Sequence, residues 1–128
     1  MPVTPLFAAI LAIVYICLSV GVIKQRLGKN ISIGSAGDTE LEKVMRIHAN
    51  FAEYVPISLI LMWFIEFITY SSSLVFILGC VLLVSRLAHV IGLNDTANKM
   101  MYRRVGMIGT FAVILISSIV LIWHYVPI

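Results

Sequence analysis

The sequence predicts an all-α fold: four helices that cross a lipid bilayer and pack as one bundle, a single domain over residues 1–128. Three observations carry this. The chain is 61% hydrophobic and 12% charged, with a mean hydropathy of +1.06, whereas soluble domains are roughly 45–50% apolar and about 25% charged. Its apolar residues fall in four long runs separated by short polar stretches. Each run approaches the roughly 20 residues that a helix needs to span hydrocarbon. Strands are disfavoured, because an open sheet leaves unpaired edges in lipid. Four spans in 128 residues leave no room for a separate soluble domain. Any chemistry must sit inside the bundle or at its mouth.

The first span covers 6–23 and carries no charge. Lys24, Arg26 and Lys29 follow it, and no small-residue cleavage site closes it, so it reads as a retained helix and not a signal peptide. Residues 24–45 form a polar stretch with Gly28, Gly34 and Gly37, then an acidic DTELE in which Asp38 or Thr39 suits an N-cap. The second helix is expected over 39–70, entering the bilayer near Ala49, so its span is 49–70. Pro56 removes one backbone hydrogen bond and predicts a kink. A tight polar turn (YSSS, 70–73) leads to a third span at 74–93. A polar loop at 94–104 precedes the uncharged fourth span, 105–126. Trp63, Tyr70, Trp123 and Tyr125 read as aromatic anchors near one membrane surface. Gly106 and Gly109 permit a close helix contact. Cys17 and Cys80 lie in apolar runs without ligand spacing, so both read as packing residues and no metal site is expected.

The net charge of +3 has a topological explanation. Lys24, Arg26, Lys29, Lys43 and Arg46 border the first loop, and Lys99, Arg103 and Arg104 the third connection. The excess of Lys and Arg places both on the cytoplasmic side, with both termini opposite. No interleaving of basic and aromatic residues points to nucleic acid.

Ionisable residues inside spans need another reason, because charge in hydrocarbon costs several kcal/mol and usually faces a cavity or the protein interior. At 100° per residue, Arg46, Asn50, Glu53 and Tyr54 fall at about 0°, 40°, −20° and 80° around the second helix. They share one face. Arg86 and His89, at i and i+3, share a face of the third. Arg103 and Arg104 open the fourth. All three groups lie at the cytoplasmic ends of their helices, so they can meet around one pocket. Arginine forks suit carboxylates, a glutamate suits an ammonium, and a small peptide bearing both fits the set. A lipophilic second molecule can enter from the bilayer. The competing reading pairs Glu53 with Arg46 or Arg86 to hold helices together. Glu66 lies about 20 Å further along the axis and reads as structural or interfacial. His48 points away from the Arg46 face and reads as structural.

The strings ELEKVMRIHANFAEYVP (40–56) and RLAHVIG (86–92) make the chain resemble the MAPEG family, membrane-associated proteins in eicosanoid and glutathione metabolism. The resemblance covers nearly the whole chain and is nearest to the uncharacterised bacterial branch. It implies a four-helix protomer in a homotrimer, in a bacterial inner membrane, with glutathione as co-substrate between protomers at the cytoplasmic side. Arg46, Asn50, Glu53 and Tyr54 resemble the family's glutathione contacts, Glu53 taking the γ-glutamyl amine and Arg46 a carboxylate. Arg86 and His89 resemble the third-helix contributors. Arg103 or Arg104 resembles the catalytic arginine near the sulfur. Two departures stand against a specialised eicosanoid synthase: Leu93 replaces a tyrosine, and Val105 replaces a serine that one branch links to thiol chemistry. Three functions compete: a glutathione-dependent transferase or peroxidase, a non-catalytic scaffold or lipid-binding protein on the same fold, and a small channel. Polar residues clustered at one end of the bundle disfavour the channel.

Overall fold

A computed structural model describes the backbone of residues 1–92 and 97–126, and the side chains of 1–92 and 100–126. Four helices follow in order: α1 (Thr4–Lys29), α2 (Thr39–Thr69), α3 (Ser72–Ile91) and α4 (Ala97–Tyr125). Among the described residues there is no strand. Each helix is long and apolar enough to cross a membrane. α2 outruns its apolar span at Thr39 as expected, and two others do so unexpectedly. α1 continues to Lys29, and α4 starts at Ala97, inside the stretch read as a loop. The physical reason is that hydropathy marks where lipid ends, whereas Lys, Met and Arg keep a helix going in water. Leu93, the expected end of the third span, and residues 94–96 of the expected loop lie outside the described residues.

Each end has its own chemistry. Asp38 caps α2: its backbone is extended and its carboxylate accepts from the Leu41 N–H at 2.8 Å. The Lys29 ammonium, 2.5 Å away, and that N–H together hold the Asp38 carboxyl below its ordinary value of 3.8. Arg26 donates through Nη1 to the carbonyls of Ile31 at 3.3 Å and Gly34 at 3.0 Å. Two cations that topology alone accounted for therefore also fasten the α1–α2 loop. α2 runs through Pro56 and stops at Tyr70, in the left-handed region at φ 52°, whose N–H returns to the Glu66 carbonyl at 3.1 Å. α3 begins two residues later.

Glu66 is a cap delivered to a different helix. Its Oε1 accepts from the N–H of Val3, and its Oε2 accepts from that of Thr4 at 2.8 Å. The first N–H groups of a helix have no partner within it, and the positive end of the helix dipole favours a carboxylate there. The glutamate is 6% exposed. It ties the start of α1 to the end of α2.

A single apolar core joins all four helices, with Leu11, Met62, Ile65, Val75, Leu82 and Val113 at its fully buried centre. α3 and α4 approach closely through glycine. A Cβ on Gly106 would stand 2.5 Å from the Ser85 carbonyl oxygen and 2.8 Å from the His89 nitrogen, and one on Gly109 would overlap Ser85 Oγ. Cys80 is half-buried against the core, but Cys17 is exposed. The packing role read for Cys17 is thereby corrected. Lipid is as apolar as a protein interior, so hydropathy does not separate the two faces of a spanning helix.

Candidate functional site

Arg86 organises the site from within. It is 1% exposed, the largest fully buried side chain. Its Nη1 donates to Asn50 Oδ1 at 2.8 Å, tying α3 to α2. Its Nη2 donates to the Gly106 carbonyl at 3.4 Å and lies 3.5 Å from Met107 Sδ, tying α3 to α4. The same carbonyl accepts from Thr110 Oγ1 at 2.9 Å. The glycine that lets the two helices meet thus also exposes a backbone acceptor to the guanidinium.

A cleft of about 580 Å³ lies on the outside of this knot, lined by Asn50, His89, Met100, Arg103, Arg104, Met107 and Ile108. Four of the expected site residues therefore meet: one from α2, one from α3 and two from α4. His89 is buried and both arginines are exposed. A second cleft of about 280 Å³ adjoins it, lined by Thr39, Glu42, Lys43, Arg46, Ile47 and Arg103. Arg103 borders both. The expected single pocket is thus two clefts sharing a wall. Arg46 stands a full turn nearer the start of α2 than Asn50, which carries it past the first cleft.

Tyr54 is half-buried and meets the Phe111 ring edge-on at 5.3 Å. Glu53 turns outward and is exposed. Among the described residues, neither Glu53 nor Arg46 forms an ion pair. The helix-holding pairing that competed with a functional reading is therefore not made. Instead Arg86 takes the neutral Asn50 as its partner. His48 keeps the structural place expected of it: its Nε2 lies 2.9 Å from Ser19 Oγ, and its ring stacks on Tyr15 at 4.8 Å.

The family model described as MAPEG matches residues 4–123. The chain belongs to the MAPEG family. It is 34% identical over 122 residues to "Inner membrane protein YecN" of Escherichia coli K12, covering 95% of this chain and 92% of that protein. The protein of the same name from E. coli O6:H1 matches over the same extent. In this MAPEG chain the motif R-x-H-x-N-x-x-E-Y thus divides its side chains by direction. Asn50 and Tyr54 face α3 and α4, and Glu53 faces away.

Sequence reasoning passed over Met100 and Met107. Both line the main cleft, and Met100 Sδ lies 3.8 Å from Arg104 Nη2. The signal was present: positions 100, 103, 104 and 107 recur at i, i+3, i+4 and i+7, one helical face. Met100 fell in the polar stretch 94–104 and Met107 in the apolar run after it, so that spacing stood out only through its arginines.

Proposed function

We propose that this MAPEG protein binds glutathione at its polar clefts and ionises the thiol for attack on lipophilic electrophiles or hydroperoxides. The observation that carries the reading is the convergence of Asn50, His89, Arg103 and Arg104 on one cleft, beside Arg46 across Arg103. A free thiol titrates near 8.5, and adjacent cations lower that value. Arg103 and Arg104 supply the cations. The sulfur then forms a bond to an electrophilic carbon, which either expels a leaving group with its bonding pair or, at an activated alkene, gives up its π pair to the adjoining acceptor and takes up a proton. Alternatively it takes the distal oxygen of a hydroperoxide and leaves the alcohol, and a second glutathione closes the disulfide with loss of water. Arg46 takes a carboxylate of glutathione and Glu53 its amine.

Glu53 is exposed on a helix that crosses lipid, where ionisable groups ordinarily face protein or a water-filled cavity. A second protomer covering this face completes the site, in keeping with a homotrimer. The relative's name supports an inner-membrane location. The Lys/Arg distribution supports a cytoplasm-facing site with both termini on the opposite side.

The test is thiolate absorbance when glutathione is added to the detergent-purified protein at neutral pH. A saturable signal, weakened in Glu53→Gln and Arg104→Ala, is expected. No signal from folded, oligomeric protein overturns the enzyme reading and leaves the non-catalytic scaffold in its place.

A further inference from the structure

A guanidinium stays charged in a protein, and buried charges are ordinarily paired with an opposite one. Arg86 is not. Among the described residues no carboxylate stands within ion-pair distance of it. Its partners are an amide oxygen, a backbone carbonyl and a thioether, and its Nε is buried without a partner. Among the described residues, the titratable Tyr54 faces Arg86 from α2, and the charged and titratable groups of the adjoining cleft, His89, Arg103 and Arg104, add positive charge or none. The knot that joins three helices therefore holds a net cation.

The orientation of Asn50 follows from this. A guanidinium donates and never accepts, so the amide oxygen must face Arg86, as it does at 2.8 Å. That leaves the Asn50 NH₂ for the cleft that Asn50 lines. A cation bonded to the oxygen also polarises the amide and strengthens its N–H as a donor.

We infer that Arg86 is a positioning residue: it presents Asn50 as a hydrogen-bond donor, and the anionic group bound in the cleft supplies its counter-charge. This rests on the glutathione reading and deepens it, because it assigns a thiolate or carboxylate, not a neutral or cationic group, to the place beside Asn50. An aspartate at position 50 would balance Arg86 from within. The neutral amide keeps the charge available to a ligand, at the expense of the unliganded fold.

Two variants of the full chain in detergent test this. Asn50→Asp puts the counter-charge in place with almost the same shape. It is expected to raise Tm without ligand, to abolish the Tm gain that sulfate gives the wild type, and to weaken glutathione binding by about tenfold or more. Arg86→Gln keeps a donor without the charge. It is expected to weaken glutathione binding by about tenfold and to move the thiolate absorbance titration to higher pH. A purely structural Arg86 would lower Tm in Arg86→Gln and leave the titration where it is. An Asn50→Asp protein no more stable than wild type overturns the inference, and decides it even if Arg86→Gln fails to fold. Failure of the glutathione reading looks different: wild type gains Tm from sulfate, Asn50→Asp is more stable, and neither binds glutathione.

Discussion

Replacing Gly106 by alanine tests the packing that builds the site. The added Cβ would stand 2.5 Å from the Ser85 carbonyl oxygen, 2.8 Å from the His89 nitrogen and 2.9 Å from His89 Cβ. Ordinary contact begins near 3.4 Å, so α3 and α4 must separate by almost an ångström. The first two obstacles are backbone atoms of a helix, which cannot rotate aside. Overpacking of this kind costs about 1–3 kcal/mol, and the better helix propensity of alanine returns at most about 1 kcal/mol. The net expectation is a loss of up to about 2 kcal/mol, measured as a fall in detergent-denaturation midpoint or Tm. The separation also draws the Gly106 carbonyl away from Arg86, which holds it at only 3.4 Å. Ligand binding should therefore fall with stability. Gly21→Ala is the control. Gly21 lies inside α1, and a Cβ added there would meet nothing within 4 Å, so propensity alone should apply and stability should rise slightly. If the two variants shift stability in the same direction by the same amount, the glycine contact is not what sets the α3–α4 distance.

Glu66→Gln keeps the volume but removes the charge that faces the start of α1. One of the two backbone donors then meets an NH₂ group, so a loss of about 1–3 kcal/mol is expected, read in the same denaturation assay. An unchanged midpoint would remove the cap from the account of α1. Asp38 predicts a pH dependence. Its carboxyl titrates lower folded than unfolded, chiefly through the Lys29 ammonium. Its contribution is therefore present above the unfolded value near 3.8 and is lost as pH falls through the lower folded value. Asp38→Asn should flatten the acid limb of the stability profile by that contribution. An acid limb identical to wild type would refute this.

The helices were legible because a bilayer asks for long apolar runs, and little else produces them. Helix ends were legible only where a cap marked them: the carboxylate of Asp38 signalled the start of α2, whereas the start of α4 was hidden in residues that are polar and helical at once. At the site, 100° spacing singled out Asn50, and the ionisable residues His89, Arg103 and Arg104 stood out at the same end of the bundle. Spacing could not decide which of two neighbouring clefts Arg46 borders, because both lie on the same face and differ in height by one turn. Nor could it find the partner of Arg86. Electrostatics favoured a glutamate, and the fold supplied an asparagine. Glu66 was placed away from the polar face, but its task was invisible, since its oxygens serve amides 62 and 63 residues away.

That separation has a consequence in time. Ribosomes add roughly 5–20 residues per second, so roughly 3–12 s pass between synthesis of Thr4 and of the glutamate that caps it 62 positions later. Throughout that interval the amides of Val3 and Thr4 lack the carboxylate that accepts from them in the finished bundle. They must stay in headgroup water, which keeps the helix end at the membrane surface until its neighbour arrives. The carboxylate then does more than stabilise a finished bundle: it closes a hairpin whose first arm has been waiting at the interface.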